Sequence, residues 1–131
     1  MTDLEGVPLP DGKELEDLDP RDIIRVMVRV NRLRRATLEE LKRRTAELGE
    51  AKKRAVLDEA AAFLASSGPV DQRKQVGKKA GAEAVRLVEV AKGELEACRE
   101  RLGILKDDWD TCRSANSNER AERSATDGFG S

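Results

Sequence analysis

The chain contains no histidine and no tyrosine, has three aromatic residues (Phe63, Trp109 and Phe129) and two cysteines, and holds no long apolar run. Each shortage excludes something. Without histidine the commonest general base and metal ligand is missing. Cys98 and Cys112, with thirteen residues between them, are too few for a zinc site on their own. No secretory signal precedes them, so the expectation is free thiols in a reducing, cytoplasmic compartment. No stretch approaches the roughly 18 to 20 apolar residues that a membrane span needs, so no membrane partner is expected. So few aromatics provide neither the large side chains of an ordinary globular core nor a stacking platform for single-stranded nucleic acid.

What is present is charge. Charged residues make up 39 % of 131 residues, and the net charge is only −1. The balance hides an asymmetry along the chain. Residues 1–20 hold seven acids and Lys13 (−6), residues 21–54 hold twelve Lys/Arg against five acids (+7), and the remaining 77 sum to −2. The first eighteen residues, broken by Gly6, Pro8, Pro10 and Gly12, carry Leu4, Val7, Leu9, Leu15 and Leu18 without a sustained period. They are expected to form a flexible acidic tail that loosely shields the basic segment, because exposed ion pairs contribute little and are screened by salt.

Asp19-Pro20 reads as a helix start, with Asp as acceptor for free amide donors and Pro at the first helical position. The next text, IIRVMVRV, alternates as a half-buried strand would. It runs without a breaker into strong helix formers, and Ile23, Val26, Val30, Leu33, Thr37, Leu41, Thr45 and Leu48 keep steps of three or four, so a helix over 20–66 is predicted. Ser66-Ser67-Gly68-Pro69 gives a turn at 67–70, and a second helix is expected over 71–120, ahead of a disordered end at 123–131. In the second helix Ala84, Val88, Ala91, Leu95, Cys98, Leu102, Leu105, Trp109 and Cys112 alternate steps of four and three, a coiled-coil stripe. The fold class follows: all-α, a long antiparallel helical hairpin of residues 19–122, coiled-coil-like, with flexible tails. Folding about Gly68 pairs residues whose numbers sum to about 136, which sets Leu41 near Leu95, Leu33 near Leu102, Val30 near Leu105 and Met27 near Trp109. Near the turn, alanine and glycine allow a close approach.

Candidate functional residues follow from what this seam leaves over. Ile24 and Val28 on the first helix, and Val85, Leu87 and Val90 on the second, lie outside it and form the candidate oligomer interface, since a lone hairpin would leave them in water. Arg25, Arg29, Arg32 and Arg35 share a flank of the first helix. Lys92, Arg99, Lys106 and Arg113 repeat every seven residues on the second. These eight form the candidate interaction surface, for a protein or for nucleic-acid phosphates; the alternative is that long cationic side chains merely solubilise the helices. The carboxylates Asp107, Asp108 and Asp110 point in different directions on a helix and are read as a solvated face. Both thiols are read as buried structural groups and Trp109 as a core filler. No catalytic constellation is found; a non-enzymatic protein is expected, with no cofactor, metal or small-molecule substrate.

The segment from Ser66 to Glu122 also carries a resemblance. A turn with Gly68, the start Asp71 and Arg73, an Ala-rich helix and an end at Trp109, Cys112, Arg113, Ser114 and Asn116 resemble small uncharacterised helical accessory proteins of tailed bacteriophages, especially those of actinobacteria. That resemblance implies an accessory to phage DNA recombination or replication, or to host takeover. It would act through self-association and another protein, with a nucleic-acid helper as the alternative and a virion structural or assembly component behind both. It carries over no site residue.

Overall fold

A computed structural model describes the backbone of residues 4–129, and the side chains of all of these but 11, 119 and 123–129. Helix α1 spans Pro20–Ala65 and helix α2 spans Val70–Phe129; the two pack against each other, and no strand occurs among the described residues. The fold is an all-α helical hairpin. At the start of α1 the Asp19 carboxylate accepts from the Arg21 amide at 3.0 Å, capping a free donor beside Pro20. At the other end Gly68 takes φ +111°, a left-handed conformation, and reverses the chain. The turn is closed by the Ser66 hydroxyl donating to the Phe63 carbonyl at 2.9 Å and by the Arg73 guanidinium 4.5 Å above the Phe63 ring.

The chain divides into two compact units. In the first, Met1–Leu38 with Glu100–Ser131, three stretches meet. Ile23, Val26 and Val30 of α1 and Leu105 and Cys112 of α2 are buried together with Val7, Leu15 and Leu18 from the segment preceding α1. That segment is a correction to the flexible tail expected over 1–18. Residues 4–18 are seated on both helices through two short 3-10 turns, Pro10–Gly12 and Leu15–Asp17, and Leu15 is completely buried. The physical reason is that its apolar side chains decide its placement. Each buried Val or Leu is worth about 1.5 to 3 kcal/mol, whereas an exposed ion pair contributes up to about 1. The described acids of the segment, Glu5, Glu14, Glu16 and Asp17, form no ion pair with α1 among the described residues.

The second unit, Glu39–Arg99, has a thinner core of Ala84, Val88, Leu95 and Cys98. Here the helices come close. A Cβ on Gly77 would lie 2.9 Å from the Glu59 backbone carbonyl, so only glycine fits the approach. Farther from the turn Arg44 reaches Glu94 at 2.7 Å across the pair. Desolvation alone would lower the Arg44 pKa, but the carboxylates of Glu94, Glu47 and Glu40 hold it raised.

All nine positions of the α2 stripe face inward, buried or half-buried, and the contacts Arg73–Phe63, Gly77–Glu59 and Arg44–Glu94 keep the expected register. One position of α1 differs. Leu33 is 40 % exposed, while Thr37 is buried and returns its hydroxyl to the Leu33 carbonyl at 2.7 Å. That bond helps satisfy the hydroxyl within its own helix, so threonine can hold an inward position. Helix α2 also runs on past residue 120 to Phe129, because Glu, Arg and Ala continue a helix without needing an apolar face. Of the expected disordered end 123–131, residues 130 and 131 lie outside the described residues.

Candidate interaction face

The strand-like alternation IIRVMVRV, once wound into a helix, distributes apolar side chains over two faces. Ile23, Val26 and Val30 turn inward, and Ile24 and Val28, one helical turn apart, form an exposed row at 48 % and 47 % exposure. A hollow lies on either side of this row, both within the first unit. One, of about 580 Å³, is walled by Pro8, Leu9 and Pro10 of the docked segment and by Arg25, Arg29 and Arg32. The other, of about 400 Å³, has Met27, Asn31 and Trp109 opposite the row, with Arg32, Arg35 and Arg120 at its rim. The docked segment therefore buries one flank of α1 and leaves a second with an apolar floor and an arginine edge.

Four of the eight cationic residues expected at an interaction surface, Arg25, Arg29, Arg32 and Arg35, gather at these hollows. Arg25 approaches Asp22 at 3.5 Å, and Arg29, Arg32 and Arg35 form no ion pair among the described residues. Lys106 and Arg113 are exposed on α2 in the same unit but line neither hollow. Lys92 and Arg99 belong to the second unit, where Lys92 pairs with Glu89 at 3.3 Å. Of the expected oligomer residues in that unit, Val85, Leu87 and Val90 are all about half exposed. Leu87 and Val90, three apart, share a stripe, whereas Val85 points to the other side of the helix.

Trp109 is half-buried. It packs on the first unit's core, lies 5.9 Å from the Arg34 guanidinium, and lines the second hollow with its remaining surface. Both thiols are buried, as the α2 stripe implies, and the Cys112 thiol is pushed up to about 11 by burial and by the neighbouring Asp108 carboxylate. A protonated, enclosed thiol is a poor nucleophile.

Asp108 is the residue that sequence reasoning misplaced. Instead of forming part of a solvated face with Asp107 and Asp110, it is 4 % exposed and accepts two backbone N–H groups of the docked segment, from Glu5 at 3.1 Å and from Gly6 at 2.8 Å. The carboxylate thus serves as an anchor for the chain a hundred residues upstream. Gly6 makes the anchor reachable: a Cβ there would meet the carboxylate oxygen at 2.8 Å and a Leu105 methyl at 3.0 Å. Gly6, one of two glycines in the acidic segment, is the trace that this contact leaves in the sequence.

Among the described residues no helix is long and apolar enough to cross a membrane, and no group of three or more Cys, Asp or Glu side chains is arranged to hold a metal. Comparison of the chain with protein-family models, with curated proteins and with solved structures gave no match.

Proposed function

We propose that this chain is a non-enzymatic binding protein that works by holding another protein on the exposed row of α1. The observation that carries the reading is the pair Ile24 and Val28, half exposed between two hollows beside the core that the docked segment helps to cover. Exposed apolar surface bounded by charge is characteristic of protein interaction sites. A phage accessory role in DNA metabolism or host takeover is a setting in which such a module would act. Self-association is assigned separately, to the Leu87 and Val90 stripe of the second unit, which is also exposed.

Two measurements test this. An Ile24→Glu/Val28→Glu bait that keeps its helical circular dichroism should lose the proteins that the wild-type bait retains from infected cells; identical retained sets overturn the α1 assignment. Light scattering should give a dimer or larger at micromolar concentration that Leu87→Glu/Val90→Glu converts to monomer. A wild-type monomer at every concentration overturns self-association. The nucleic-acid reading is favoured by Arg29, Arg32 and Arg35, which form no ion pair among the described residues, and predicts a salt-sensitive mobility shift with duplex DNA or RNA that is indifferent to Ile24 and Val28.

A further inference from the structure

We infer that the occupant of the α1 face is an acidic amphipathic helix of a partner protein, laid along the Ile24–Val28 row with its apolar side chains in the two hollows and its carboxylates on the arginine rim. The inference rests on the binding role proposed above and names the chemistry of the partner.

The argument starts from charge. Around the two hollows stand Arg25, Arg29, Arg32, Arg35 and Arg120, against a single described carboxylate, Asp22, which already lies beside Arg25. The chain's own acidic segment is contiguous with this helix, and its described acids form no ion pair with it, since its apolar side chains and its bonds to Asp108 seat it on the neighbouring flank. Among the described residues Arg29, Arg32 and Arg35 form no ion pair, which suits them to carboxylates of another chain. A symmetric second copy would bring the same five arginines against themselves, at a repulsive cost, so the face is unsuited to self-pairing. A nucleic-acid backbone would suit the arginines but would leave Ile24, Val28 and Leu9 facing phosphates.

Shape favours a helix over an extended peptide. Ile24 and Val28 are separated by one turn, and the hollows of about 580 and 400 Å³ run on both sides of that row. A ridge with a groove on each flank is what a second helix packs against, with side chains three and four apart entering the grooves. Arginine suits the rim, since its planar fork receives a carboxylate with two parallel hydrogen bonds. Trp109, the single tryptophan of the chain, lines one groove and reports its occupancy.

The test uses the full chain and a synthetic helical peptide of roughly 18 residues, long enough to hold a helix, with leucines on one face and glutamates on both flanks. A twin peptide has every glutamate replaced by glutamine. Titration followed by Trp109 emission at about 50 mM salt, where charge is weakly screened, should show the acidic peptide binding at least ten times more tightly than its twin. That advantage should shrink as salt is raised. Arg29→Glu/Arg32→Glu should remove the preference while sparing helicity, and Ile24→Ser/Val28→Ser should weaken both peptides. Equal affinity for the twin, or loss of the acidic peptide to duplex DNA in a competition unaffected by Ile24→Ser/Val28→Ser, overturns the inference. If neither peptide binds while protein retention by the bait still depends on Ile24 and Val28, the acidic helix is refuted and the binding role stands.

Discussion

Replacing Asp108 by asparagine isolates the anchor of the docked segment with almost no change in shape. The carboxylate receives the Glu5 and Gly6 amides at 3.1 and 2.8 Å from a position 4 % exposed. Hydrogen bonds to a charged group contribute roughly 1.5 to 3 kcal/mol each. Asparagine keeps one oxygen as a weaker, neutral acceptor and turns an NH₂ group toward the other amide, so about 2 to 4 kcal/mol of docking free energy should be lost. At about 1.4 kcal/mol per decade this is roughly a 30- to 1,000-fold rise in the open fraction. The loss has a ceiling, because a segment joined to α1 through Asp19 alone cannot cost the rest of the fold more than its own docking supplies. Hydrogen exchange followed by mass spectrometry should therefore show protection falling steeply over residues 4–18 and little across 84–98 of the second unit. A change below about threefold in the segment would refute the anchor. An equal fall in both regions would refute the local character of the effect.

Three further outcomes follow from the packing. The Cys112 thiol, raised from 9.0 to about 11 in the fold by burial and by Asp108, binds its proton more tightly folded than unfolded. Its stabilisation is complete below the unfolded value and is lost as pH rises through 11, by up to about 2 to 3 kcal/mol; urea melts at about pH 8 and pH 11 should show a smaller alkaline loss in Cys112→Ala. Gly77→Ala should lower the melting temperature, since pushing the Glu59 carbonyl away costs about 1 to 3 kcal/mol and outweighs the helix-propensity gain of about 1. Gly93→Ala, with no atom within 4 Å of its added carbon, should raise it instead.

The second helix was legible in the sequence because its signal is periodic. Nine seam positions at alternating steps of four and three admit one inward face, and Gly68 fixes the register once two helices are joined by a short turn. Asp19-Pro20 marked the start of α1 for a reason that holds locally, as the Asp19–Arg21 bond shows. The docked segment was not legible. Val7, Leu15 and Leu18 bury themselves from 3-10 turns and extended backbone, where neither a helical nor a strand period exists to be read. Leu33 lies outside the inward stripe in which its spacing put it, whereas Thr37 keeps its expected inward place with its hydroxyl bonded within its own helix. The exposed row was half visible: Ile24 and Val28 fall outside the seam, but the hollows beside them depend on Leu9 and Trp109, brought there from opposite ends of the sequence.

The distance along the chain between Gly6 and Asp108, 102 positions, also sets an order of assembly. Pairing next to Gly68 closes a loop of a few residues, and each further contact along the hairpin extends one already made, so its entropic cost is small. The surface that receives residues 4–18 does not exist until α1 and α2 have met near Ile23 and Cys112. Helix pairing should accordingly start at the turn and run outward, with the segment joining last. During synthesis Val7 and Leu15 emerge about a hundred residues ahead of the helix that will cover them, and at ribosomal rates of roughly 5 to 20 residues per second they remain exposed for several seconds. The acids around them, Glu5, Glu14, Glu16 and Asp17, are exposed for the same interval, and like charge on two such stretches opposes their association.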